Sequence, residues 1–172
     1  MVLLLRRLLV VSALMFWQGG FTFYAAVVVP VGQEVLGTHF KQGRITRRVT
    51  VYLNLAGAAA LLPLAWDAAA SADRAALLRR LRWLALGGMA AGLALLFWLR
   101  PQLDELIDLQ MGYIPERKAF RVGHRWYLWI STVQWGLGVV YALLTLHAWR
   151  DGDRAAGARE AATLPSDPGG QV

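Results

Sequence analysis

Three histidines, eight tryptophans and a handful of neutral amides and hydroxyls are the side chains of this chain equipped to do chemistry. Imidazoles ligate metals and haem iron, so His39 and His124 are a candidate ligand pair for copper, another metal or haem. Two histidines without a third ligand nearby make a poor zinc site, and axial haem ligands belong deeper, facing each other across helices. Hydrogen bonding by these rings near a water boundary is the competing reading. Gln18, Thr22, Asn54, Ser131, Thr132 and Gln134 lie inside long apolar runs, where lipid offers a polar group no partner. Gln18 and Thr22, four apart, share one helix face. Such a set could hydrogen-bond across helices and fix their register, or line a polar cavity for a small ligand. No Gly-rich phosphate loop, His-Glu-x-x-His or Gly-x-Ser-x-Gly occurs, and the carboxylates stay in connections, so the pattern points away from catalysis. Zero cysteines remove disulfides, thiolate nucleophiles and zinc–thiolate sites.

The elements that must position these residues are apolar runs. The chain is 57% hydrophobic and only 17% charged, too little charge to coat a soluble domain. Crossing a hydrocarbon core about 30 Å thick takes roughly 20 helical residues. Runs of about that length cover 8–31, 49–66, 83–99 and 126–149. A spanning backbone must satisfy its own hydrogen bonds, and no strand-like alternation is present, so each run predicts a helix. The expected fold is all-α, an integral membrane four-helix bundle forming one domain over 1–149. Arg6 and Arg7 ahead of the first run also suit a secretory signal, but the run is longer than a signal core and no small-x-small site closes it. An uncleaved helix is the reading adopted.

Gly32 to Arg48 reads as a short polar connection, and Asp67 to Arg82 as a charged, Ala-rich one in which Ser71 could cap the third helix. Between spans three and four, Leu103, Leu106, Ile107 and Leu109 alternate with Asp104, Glu105 and Asp108, which predicts a short amphipathic helix at the membrane surface. Residues 150–172, rich in Gly, Ala, Asp, Pro and Arg, predict a disordered polar tail. The net charge of +7 reads as a collar meeting lipid headgroups, not as a nucleic-acid signal. The 18 basic residues divide equally between the two sides, so the positive-inside rule ties; weighting the first helix favours a cytoplasmic N-terminus. Most tryptophans fall near run ends, at headgroup depth; Trp135, beside Gln134, is the mid-span exception. Gly19, Gly20, Gly57, Gly88, Gly92, Gly136 and Gly138 offer close helix approach, within one chain or between copies.

Two stretches carry a resemblance. Phe16-Trp17-Gln18-Gly19-Gly20-Phe21-Thr22-Phe23-Tyr24 runs on to Pro30, and Phe120-Arg121-Val122-Gly123-His124-Arg125-Trp126-Tyr127 runs into Ser131-Thr132-Val133-Gln134-Trp135. Together they resemble the uncharacterised four-helix membrane domain of bacterial proteins similar to transmembrane protein 205, over about residues 8 to 148. In that family a Gly-containing first helix ends in Pro and a His precedes the last helix. The resemblance implies a four-span fold in a bacterial cytoplasmic membrane. It implies no activity, cofactor or substrate, and adds interest to Gly20, Pro30 and His124. Two functional readings stand: a small non-catalytic membrane protein with a structural or small-ligand-binding role, or one that handles a metal, haem or small solute through His39 and His124.

Overall fold

The computed structural model describes residues 1–71, 75–107 and 114–163, with the backbone alone for His39 and Thr163. Every element among them is helical: α1 (Val2–Phe23), a π turn (Tyr24–Val28), α2 (Val29–Leu36), α3 (His39–Ala70), α4 (Ala76–Glu105) and α5 (Arg117–Thr163). Four helical stretches are long and apolar enough to cross a membrane: Val2–Leu36, Phe40–Ala70, Ala76–Glu105 and Arg117–Ala162.

Local chemistry explains the breaks. Pro30 has no N–H, and its ring would crowd the carbonyl four residues back in a regular helix. The chain widens just before it, with the Val29 N–H bonding the Tyr24 carbonyl five residues earlier. This absorbs Pro30 without ending the rod, which continues through α2. Gly37 stops it at φ 65°, a left-handed conformation that costs glycine little. Thr38 then caps α3, its Oγ1 accepting the Lys41 N–H at 3.4 Å.

Three expectations about the connections change. Lys41, Arg44, Arg47 and Arg48 sit in the first turns of α3, not in a loop. Ser71 is the C-cap of α3, its N–H bonded to the Asp67 carbonyl, while Ala75 precedes α4 without a side-chain cap. The surface helix expected between spans three and four is absent over 102–107. Instead α4 runs through Pro101 to Glu105 and ends at Leu106. Tertiary contacts outweigh the proline: Leu103 is buried with Leu96 and Tyr127, and Asp104 is held by an arginine of α3. Residues 108–113 of that expected helix lie outside the described residues. Likewise α5 does not end at Trp149 but continues to Thr163, through an alanine-rich stretch of high helix propensity; the rest of the expected tail is outside the described residues.

Helix α1 packs on α3, α3 on α4, and α4 most extensively on α5, while α5 returns to α1 through few contacts. The ring of helices is therefore weakly closed on that side. A core of Val10, Trp17, Ala60, Leu64, Ala85, Leu86, Met89 and Tyr141 fills one half of the bundle; a smaller cluster of Leu96, Leu103 and Tyr127 fills the other. Large apolar side chains such as Phe16 (76% exposed) and Leu62 (72%) point outward.

Candidate functional site

The strongest polar feature lies at the end of the bundle holding the N-terminus. Asp67 of α3 is fully buried. Its carboxylate is 2.6 Å from Nη2 of Arg82 on α4 and 2.8 Å from Nε of Arg6 on α1, and accepts from the indole N–H of Trp149 on α5 at 3.2 Å. One side chain thus joins all four spanning stretches. Arg82 is also fully buried, with its guanidinium 5.6 Å from the centre of the Tyr141 ring. The Tyr141 hydroxyl donates to the Leu64 carbonyl at 2.7 Å. Just outward, Arg7 grips Asp153 through two bonds of 2.7 and 2.9 Å and stacks 5.2 Å over Trp149. The Arg7 hydrogen bond holds the Asp153 carboxyl below its ordinary value of 3.8.

The sequence reading assigned the basic residues to a lipid-facing collar and Asp67 to a connection. Asp67, Arg6 and Arg82 instead turn inward. A signal was available: Asp67 and Arg82 each sit one residue beyond an apolar run, and a short connection between antiparallel spans must bring such residues to one level.

In mid-bundle the amides and hydroxyls divide into two groups. Gln134 is buried and donates to the Met89 carbonyl of α4 at 3.0 Å. Asn54 is buried and donates to the Tyr127 hydroxyl at 3.1 Å, a diagonal bond from α3 to α5. Trp135 donates to Thr22 Oγ1 at 3.0 Å, tying α5 to α1. Thr22 and Thr132, by contrast, donate to carbonyls of their own helices, those of Gln18 and Leu128. Ser131 is buried beside this set. Gln18 lies against Gly138 of α5, and its Nε2 has no hydrogen-bond partner among the described residues.

The glycines sort by what a methyl group would meet. At Gly88 it would reach Leu137 at 2.7 Å, at Gly57 the Trp17 indole at 2.8 Å, at Gly92 the Gln134 side chain at 3.5 Å and at Gly20 Leu53 at 3.8 Å. Gly19 and Gly136 have nothing within 4 Å and face open space within this chain. Trp17 is a core residue, 5% exposed, not a headgroup anchor.

At the opposite end, Arg47 Nε lies 2.6 Å from Asp104 Oδ1, and Arg100 donates to the Arg47 carbonyl at 3.1 Å. Tyr24, the buried first residue of the π turn, donates to Thr46 Oγ1 at 2.8 Å. His124 is exposed and stacks on Phe120 with ring centres 5.8 Å apart. The His39 side chain lies outside what is described. Among the described residues no group of three or more His, Asp or Glu is placed to hold a metal ion.

Where α1 and α5 meet loosely, an open groove of about 480 Å³ runs between them, lined by Gln18, Thr22, Phe23, Val27, Trp135 and Val139 among others. The site is thus an inward polar network at three levels, with apolar grooves on the outside between α1 and α5 and between α1 and α3. In comparisons with known proteins, no family model, no curated protein and no solved structure matches the chain.

Proposed function

We propose that the protein is a non-catalytic integral membrane protein whose role is structural, a four-span bundle held in fixed register by its interior polar side chains. On the strength of the sequence resemblance, its place is the cytoplasmic membrane of a bacterium. The supporting observation is how those side chains are used. Gln134, Asn54, Trp135, Tyr141 and Asp67 each engage a different helix, the arrangement expected of groups that lock helices together where no water can satisfy them. The outward apolar surface supports the bilayer as surroundings: the most apolar windows of the four candidate spans bury only 11% to 33% of their residues within the chain, far more exposed hydrocarbon than a soluble monomer carries.

The test is single substitution of Gln18, Asn54 and Gln134 by Leu in detergent-purified protein. Asn54→Leu and Gln134→Leu each lower stability by about 0.5–2 kcal/mol, the range of hydrogen bonds between helices in lipid. Gln18→Leu costs least, because its Nε2 has no partner to lose. An absorption spectrum and elemental analysis of the same preparation decide the runner-up: a Soret band or stoichiometric copper would replace this reading with metal or haem handling through His39 and His124.

A further inference from the structure

We propose that the α1–α5 groove is the seat of an anionic phospholipid, with one acyl chain lying in the groove and the phosphate held by Arg121 and Arg125. The inference rests on the bilayer reading above, and three observations carry it.

First, residues 121, 125, 128, 132, 135 and 139 recur at steps of three and four, so they form one face of α5. All six are exposed. Along that face Arg121 and Arg125 are followed by Leu128 and Thr132, and then by Trp135 and Val139, which line the groove. Outward from the groove, that exposed face of α5 leads to a pair of guanidiniums. Second, the length matches one leaflet. At about 1.5 Å per residue, the stretch from Arg125 to Trp135 is roughly 15 Å, half of the roughly 30 Å hydrocarbon core. Helix α1 runs antiparallel beside it, Gln18 against Gly138 and Thr22 bonded to Trp135, so Phe23 and Val27 (61% and 42% exposed) form the opposite wall toward the same end. Trp126 and Trp129, both exposed, mark the interfacial depth next to Arg125. Third, charge at this end is unevenly matched. Asp104 is taken by Arg47 and Arg100, and among the described residues neither Arg121 nor Arg125 forms an ion pair with Glu34, Glu105 or Glu116. A lipid phosphate supplies the missing anion, and guanidinium matches it in shape as well as charge.

The chain has no cysteine, so Thr132→Cys gives a single attachment point for an environment-sensitive fluorophore on the groove face. The labelled protein is reconstituted into phosphatidylcholine vesicles containing either brominated phosphatidylglycerol or brominated phosphatidylcholine, and bromine quenching is measured against mole fraction. Half-maximal quenching is expected at a roughly fivefold or greater lower mole fraction of the anionic lipid, about the weight of one basic side chain at a charged membrane surface. The preference shrinks on raising ionic strength from about 0.01 to 1 M, because contacts of this kind are screened. Arg121→Gln with Arg125→Gln abolishes it. Lys41→Gln with Arg44→Gln, at the same end but on α3, retains it. Equal quenching by the two lipids, a preference insensitive to salt, or one that survives loss of Arg121 and Arg125 overturns the inference while leaving the bilayer reading intact. No quenching by either lipid sinks both. The salt series uses no arginine variant, so it decides the matter even if the double substitution fails to fold.

Discussion

At the scale of single residues, Asp67 carries the greatest consequence. It sits among Arg6, Arg82 and the Trp149 indole with no access to solvent. Removing its charge takes a fully buried anion away from the guanidiniums of Arg82 and Arg6. Asp67→Asn is accordingly expected to cost about 3–5 kcal/mol, read as a fall in the melting temperature of the detergent-solubilised protein. Replacing the pair together, Asp67→Leu with Arg82→Met, should cost less than Asp67→Asn alone, because the desolvation of two ions disappears with them. If the single and double variants melt alike, the pair is not the source of the stability. Asp153 makes the contrasting case, being an exposed partner of Arg7. Its folded carboxyl titrates below 3.8, so the contact contributes fully above that pH and is lost as pH falls through the lowered value. The melting temperatures of the parent and Asp153→Asn should therefore differ at pH 7 and converge on acidification. A gap that persists at low pH would assign the effect to helix propensity instead.

At the scale of elements, the four rods were legible and their ends were not. Uninterrupted apolar runs announce helices because lipid permits little else, and the runs at 49–66 and 83–99 fall within α3 and α4. The ends depend on pairings that connect distant positions. Arg47 with Asp104 lengthens both α3 and α4 beyond their apolar runs, and Arg7 with Asp153 secures α5 past Trp149. Nothing in the local sequence distinguishes these charges from a solvated collar. The neutral set at Asn54 and Gln134 could be read in advance because an amide in an apolar run stands out. Of the Asp67 hub only the flanking positions of Asp67 and Arg82 could be read; that Arg6 and Trp149 join them is fixed only once the helices assemble. Close packing gives a test at this scale. Gly57→Ala forces a methyl group against the enclosed Trp17 indole and is expected to destabilise by about 1–3 kcal/mol. Gly19→Ala and Gly136→Ala, facing open space, should change stability by no more than about 0.5 kcal/mol. Equal effects in a thermal melt would show that these glycines do not differ in the way described.

For the whole molecule, the distribution of polarity is inverted relative to a water-soluble bundle. Charge is buried at the ends, as with Arg82 and Asp67, while Phe16, Leu62 and Trp98 are displayed on the flanks. Flanks of this kind are the reason for proposing a bilayer as the surroundings. The expressed chain is expected to stay with the membrane fraction through an alkaline carbonate wash and to need detergent for monodispersity; release by carbonate would refute the bilayer reading outright.

The meeting of four rods at Asp67 also imposes an order on biogenesis. When α3 emerges during synthesis, Arg6 is already present, but Arg82 lies 15 positions later and Trp149 arrives only with the final rod. On the bilayer reading, the carboxylate has only part of its final set of partners until then. A chain cut short before its last rod keeps Arg6 and Arg82 for the carboxylate but lacks the indole N–H of Trp149, so the knot is complete only when the final rod has docked.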